Sequence, residues 1–141
     1  MEFQAVIKFI AFHFGAAAKI LDAFGKTGAD GTLAWAFREP IATLLSSGKT
    51  VGRHSAGPSW EYSDGSAVVG QVVGTAPGMV ANDIPWLKLV VTSRRGTGGL
   101  SQATTVQRIN TAGGKLSGAC YKSGTYESVP YSADYVFLRK G

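Results

Sequence analysis

Cysteine is nearly absent: Cys120 is the only one in 141 residues. No internal disulfide can form, and metal sites built on cysteine pairs are excluded. A lone thiol buries readily as a small hydrophobe, and an intermolecular bridge is the one disulfide left to it. Histidine is scarce as well, with only His13 and His54. Two distant histidines supply too few ligands for a catalytic metal centre, so no metal and no other cofactor is expected. Charged residues make up only 16% of the chain, against 45% apolar, which excludes a disordered polyelectrolyte. No apolar run reaches the ~20 residues of a transmembrane helix. The greasy start, MEFQAVIKFIAFHFGAAAK, has Glu2 where a secretion leader carries basic residues, and Lys8 and His13 interrupt it. It reads as part of the fold rather than as a convincing signal peptide.

Several signatures are missing. Ser47-Gly48-Lys49-Thr50 ends like a phosphate-binding loop, but Thr43 stands where the upstream glycine belongs. GTGGLS at 96–101 lacks the dinucleotide-binding spacing and reads as a hairpin loop. There is no nucleophile elbow, paired-histidine zinc motif or calcium loop. The net charge of +5 is scattered along the chain. Only Arg94-Arg95 and Arg139-Lys140 are adjacent, and no aromatics interleave with them, so nucleic acid is not expected as a partner. A moderately basic surface of this kind also suits anionic glycans or cell envelopes.

What the chain does have is glycine, 19 residues of it, set between short apolar runs. LAWAFR (33–38) alternates, with Leu33, Trp35 and Phe37 on one face. IATLL (41–45), residues 50–55 and 59–62, SAVVGQVVG (66–74), IPWLKLVVTS (84–93), SQATTVQRIN (101–110) and PYSADYVFLR (130–139) follow, each bounded by turn residues. Leu87, Leu89 and Val91 share a face, as do Tyr131, Ala133, Tyr135 and Phe137. The spacing predicts an all-β, antiparallel sandwich or barrel of about eight short strands in one domain spanning 1–141. Residues 1–25 are ambiguous. Phe3, Val6, Ile7, Ile10, Phe14, Ala17, Leu21 and Phe24 follow helical spacing, with Gly25 placed as a C-cap, yet β-branched and aromatic residues are dense. Spacing alone favours a helix there, and the segment stays open as strand or helix.

The most informative stretch is GRHSAGPSWEYSDGSAVVG (52–70). Asp64-Gly65 between strand-like runs predicts a hairpin. It brings His54, Trp60, Glu61 and Asp64 close in sequence. A histidine works as a general acid or base near neutral pH when a carboxylate such as Glu61 tunes it. Trp60 and Tyr135 can wall an apolar pocket, and Arg108 can bind a carboxylate. Asn110, Tyr131 and Asp134 also have chemical reach. Each has a structural alternative. The tryptophans Trp35, Trp60 and Trp86 suit a core, Asp64 suits a turn, Arg108 can pair with Glu61 or Asp134, and His54 can be a satisfied structural histidine.

RHSAGPSWEYSDGSAVVGQVV (53–73), IPWLKLVV (84–91), TTVQRINTAGG (104–114) and VPYSADYVFL (129–138) together resemble the secreted domain-of-unknown-function family 3455. AWAFREPIATLL (34–45) fits the same pattern, and the likeness covers about residues 28–138 in order. It implies a β-rich domain of bacteria or fungi, located outside the cell or in the periplasm. Family members carry a cysteine ahead of the AWAF strand, and the resemblance implies its pairing with the later one. Ala23 stands at that position here, so Cys120 lacks that partner. Some members carry a malate dehydrogenase label, which this sequence does not support: it has no dinucleotide-binding βαβ fingerprint.

Three functions follow as expectations. The first is a noncatalytic, extracytoplasmic binding domain for a small molecule or an envelope carbohydrate, held by His54, Trp60, Glu61, Arg108 and Tyr135. The second is a self-assembling structural protein, a homo-oligomer or fibre, that uses its apolar N-terminal segment. The third is a small acid–base enzyme (isomerase, cyclase or hydrolase) that uses His54 and Glu61.

Overall fold

A computed structural model of the chain describes the backbone of residues 6–12, 21–27, 33–40, 42–46, 49–115 and 126–140, and the side chains of 42–46, 49–115 and 129–140. The described residues form strands, turns and loops: β1 (Val6–Phe12), β2 (Leu21–Thr27), β3 (Leu33–Pro40), β4 (Ala42–Ser46), β5 (Lys49–Ser55), β6 (Ser59–Tyr62), β7 (Ala67–Ala76), β8 (Trp86–Arg95), β9 (Ala103–Gly113), β10 (Tyr126–Val129) and β11 (Tyr131–Arg139). Eight of them close into an antiparallel barrel in the order β1-β11-β9-β8-β7-β6-β5-β4. The other three form a small antiparallel sheet, β10-β2-β3. The all-β antiparallel architecture expected from the strand spacing is therefore the observed one.

The helical spacing of the first residues is overruled. Val6–Phe12 is a strand whose Val6 faces Leu138 and whose Ala11 faces Ala133, while Ile10–Phe12 also pairs with Thr43–Leu45. Leu21–Thr27 is likewise a strand, held between β3 and β10. Two partner edges supply ladder hydrogen bonds that an isolated amphipathic helix lacks, and the β-branched and aromatic residues suit a pleated surface. Residues 3–5 and 13–20 of that segment lie outside the described residues, as do His13 and Cys120.

The barrel has two rims. At one lie the β5–β6 turn with its cis Gly57–Pro58 peptide, the β7–β8 connection at 77–85, Gly113 and Tyr131. At the other lie the Asp64-Gly65 turn, the β8–β9 loop at 96–102 and Arg139. β3 runs into β4 across one residue, and β10 into β11 across Pro130, so the small sheet springs from the Pro58 rim.

Inward positions alternate as the sequence requires. On β11, Tyr131, Ala133, Tyr135 and Phe137 are buried, and Leu89 on β8 joins them with Leu87 and Val91 packed alongside. Trp60, Val68, Val106 and Leu44 complete the centre of the core. Gly70 lets Trp60 and Leu89 pack close to the β7 backbone: an added Cβ would lie 3.2 Å from Cζ3 of Trp60 and 3.3 Å from Cβ of Leu89.

The Asp64 rim is tied shut. Asp64 Oδ1 accepts from the Ser66 amide at 2.9 Å and the Ser66 hydroxyl at 2.6 Å, while Oδ2 accepts from the Gly99 amide at 2.7 Å. Ser66 Oγ in turn accepts from the Leu100 amide at 3.1 Å. Gly98, at φ 156°, passes so close that a Cβ there would collide with the Asp64 carboxylate. These bonds set Leu100, 1% exposed, into the barrel end as a plug. Asp64 is thus the turn residue its sequence context suggests, with a second task in anchoring a distant loop.

Candidate functional site

The strand register decides which of the candidate residues meet. His54 on β5 faces Trp60 on β6, and Tyr135 on β11 faces Arg108 on β9. Directly opposed residues of antiparallel strands share a face, and all of these lie on the inner face of the barrel. The His54 and Trp60 rings stack, with centroids 4.6 Å apart and planes 11° apart. Tyr135 closes on both, 4.9 Å from the His54 centroid and 5.7 Å from that of Trp60. Phe137 meets Trp60 edge-on at 6.0 Å. Contributions from β5, β6, β9 and β11 thus converge toward the Pro58 rim.

His54 is 3% exposed. Its Nδ1 lies 2.8 Å from the Ser59 carbonyl. A carbonyl only accepts, so Nδ1 carries the proton and Nε2 presents a lone pair. Burial holds the imidazole pKa down to about 3; the Ser59 contact works against that drop and the Arg108 charge adds to it. His54 is therefore a neutral ring across the physiological range.

Tyr131 and Tyr135 share a short hydrogen bond between their hydroxyls. Burial raises the pKa of both phenols, with the Arg108 charge working in the opposite direction, so both stay neutral. Arg108 donates from Nε at 3.0 Å and from its terminal amine at 2.8 Å to the Pro85 carbonyl. It thereby pins the 77–85 connection over this end of the barrel. Thr111 Oγ1 donates to the Ile84 carbonyl at 2.6 Å and the Gly113 amide to Asp83 Oδ1 at 2.8 Å, which hold the same segment. Trp60 Nε1 is buried and has no acceptor. An orphaned buried N–H costs about 1–3 kcal/mol, so its presence in a packed interior calls for an explanation.

The structure does not bring Glu61 to this cluster. Successive residues on a strand point to opposite faces, so with Trp60 inside, Glu61 lies outside. There it accepts from Arg95 at 2.6 Å, with both side chains exposed. The two ion pairs considered for Arg108 are also displaced: Glu61 is held by Arg95, and Asp134 Oδ2 accepts from Asn110 Nδ2 at 2.9 Å on the outer surface. Trp60 is core, at 1% exposure. Trp86 is half-buried, with an indole nitrogen that, like that of Trp60, has no partner. The Trp35 side chain lies outside the described residues.

Some residues that shape the site escaped the sequence reading. Ile84 is buried against Tyr131 and Gly114, and Pro85 supplies the carbonyl for Arg108. The signal available was the apolar Ile84 ahead of a proline at the close of a polar loop. Leu100, a lone apolar residue in a glycine-rich loop, carried a similar signal.

The family model described as protein of unknown function (DUF3455) matches residues 23–139. No curated protein and no solved structure matches the chain. Among the described residues, no helix is long and apolar enough to cross a membrane.

Proposed function

The chain belongs to this family of proteins of unknown function, and we propose that it is a noncatalytic, extracytoplasmic binding domain whose barrel interior takes a small molecule. The observation that carries the reading is the buried Trp60 Nε1–H without an acceptor, set among His54, Tyr135 and Arg108. A ligand with a hydrogen-bond acceptor relieves that group, and a flat ring suits the aromatic walls. The near-complete burial of His54, Trp60 and Tyr135 favours a small molecule over an envelope carbohydrate chain. Entry requires the Ile84–Pro85 segment to lift, and Arg108 is the residue that releases it. The extracytoplasmic location rests on the family resemblance alone.

Two other readings have less support. Acid–base catalysis by His54 with Glu61 needs the two to meet, and they lie on opposite faces of the barrel wall. A histidine held near pKa 3 is also a weak base and cannot serve as a neutral-pH acid. Self-assembly through the apolar N-terminus needs a free strand edge, and β1 uses both of its edges, one on β11 and one on β4.

A thermal-shift screen of small, ring-bearing hydrogen-bond acceptors tests the proposal. A binder raises the melting temperature of the wild-type protein, and Trp60→Phe and Arg108→Gln each remove that rise while remaining folded. A broad screen without a single shift, or a shift retained in both variants, refutes it.

A further inference from the structure

The other end of the barrel carries a second feature, which shares Phe137 with the surroundings of the His54 cluster. Between the β8–β9 loop and the end of β11 lies a groove of about 450 Å³. Its lining includes Thr97, Leu138 and Arg139, with the buried Ala103 and Phe137 beneath. That volume falls in the ~300–1,000 Å³ range of small-molecule sites. We infer that this groove binds a small organic anion, an apolar body carrying one carboxylate, sulfonate or phosphate group.

Charge and register support that choice. The two adjacent basic pairs, Arg94-Arg95 and Arg139-Lys140, are far apart in the chain. The barrel brings both to the Asp64 rim. Arg139 is the register partner of Ala103, and Arg94 donates to the Ala103 carbonyl at 2.8 Å. Arg139 thus lines the groove, while Arg94 is engaged with the backbone of one of its lining residues. The acidic groups at this rim already have partners: Glu61 holds Arg95, and Asp64 accepts from Ser66 and from the amide of Gly99, itself a lining residue of the groove. Among the described residues, Arg139 has no acidic partner, and its side chain is exposed. Guanidinium groups recognise planar oxyanions through paired N–H donors. An exposed charge pair by itself is weak in water, so the half-buried Leu138 and the apolar wall around it have to contribute through contact with the ligand body. The site therefore selects for both parts in one molecule.

The test uses 8-anilinonaphthalene-1-sulfonate, an apolar body with one anionic group, and N-phenyl-1-naphthylamine, the same body without the charge. The intact protein is titrated with each by fluorescence, and amide shifts are mapped by NMR with the sulfonate. The sulfonate is expected to bind at least about fivefold more tightly than the amine, and Arg139→Gln to weaken it by at least about fivefold. Lys88→Gln, a charge loss on β8 away from the groove, stays within about twofold of wild type. Amide shifts cluster at 97–103 and 137–139. Equal binding of the two probes, an unaffected Arg139→Gln, or shifts centred on the exposed Val72, Val73, Met79 and Val80 each overturn the inference. The NMR map on wild-type protein stands even if a variant misfolds. It also separates this groove from the interior site, whose loss through Arg108→Gln leaves the sulfonate titration unchanged.

Discussion

Replacing His54 by phenylalanine tests the physical state of the barrel interior. Phenylalanine keeps a flat ring against Trp60 and removes the only titratable group of the stacked pair. Folding lowers the imidazole pKa from 6.5 to about 3, mainly through burial. Between those two values the unfolded chain binds a proton that the folded chain refuses. Stability from this source is complete above pH 6.5 and falls as pH drops toward 3. At about 1.4 kcal/mol per pH unit, the loss is about 2 kcal/mol at pH 5 and about 3 kcal/mol at pH 4. The full gap amounts to about 5 kcal/mol, comparable with the whole stability of a small domain. Urea unfolding followed by tryptophan fluorescence at pH 7.5, 6, 5 and 4 gives the wild-type slope. In His54→Phe that slope flattens by these amounts, and His13 cancels because both proteins retain it. An Hε1 resonance of His54 that titrates near pH 6.5, or a variant with the wild-type pH slope, means water reaches the ring and refutes the reasoning.

Leu100→Ala removes the plug from the Asp64 rim and costs about 2–5 kcal/mol, read as a lower urea midpoint at unchanged slope. Glu61→Gln breaks only an exposed pair with Arg95; it changes stability by less than about 1 kcal/mol and leaves the His54 NMR titration untouched. Asp64 has its carboxyl held below the ordinary 3.8 by the Ser66 hydroxyl and by the Gly99 and Ser66 amides, so its contribution is present above pH 3.8 and lost as pH falls through the depressed value. Asp64→Asn deprives the Gly99 amide of its charged acceptor, lowers the melting temperature at neutral pH and removes that acid-range loss, checked by melts from pH 5 to 2.

The strands were legible because their signals are local. Alternation in PYSADYVFLR sends Tyr131, Ala133, Tyr135 and Phe137 inward, and Asp64-Gly65 marks its turn whatever surrounds it. The first strand was not legible, since its apolar residues satisfy a helical period as well as a strand. Only the edges of β11 and β4 resolve that choice. The candidate site was legible in part. His54, Trp60, Tyr135 and Arg108 stand out as residue types and do converge, whereas Glu61, next to Trp60 in sequence, does not.

That contrast marks what each level of structure determines. The all-β class, the hairpin at Asp64, the aromatic face of the last strand and the family are legible in the chain alone, because alternation, turn chemistry and motif order are written in neighbouring residues. Only the folded chain shows that β1 closes a barrel, that His54 is neutral and that Arg139 meets the 97–103 loop across one groove. Register and burial are set by partners distant in the chain. A shift of one residue along a strand turns a side chain from the interior to the solvent, and it is that parity which places Trp60 inside and Glu61 outside.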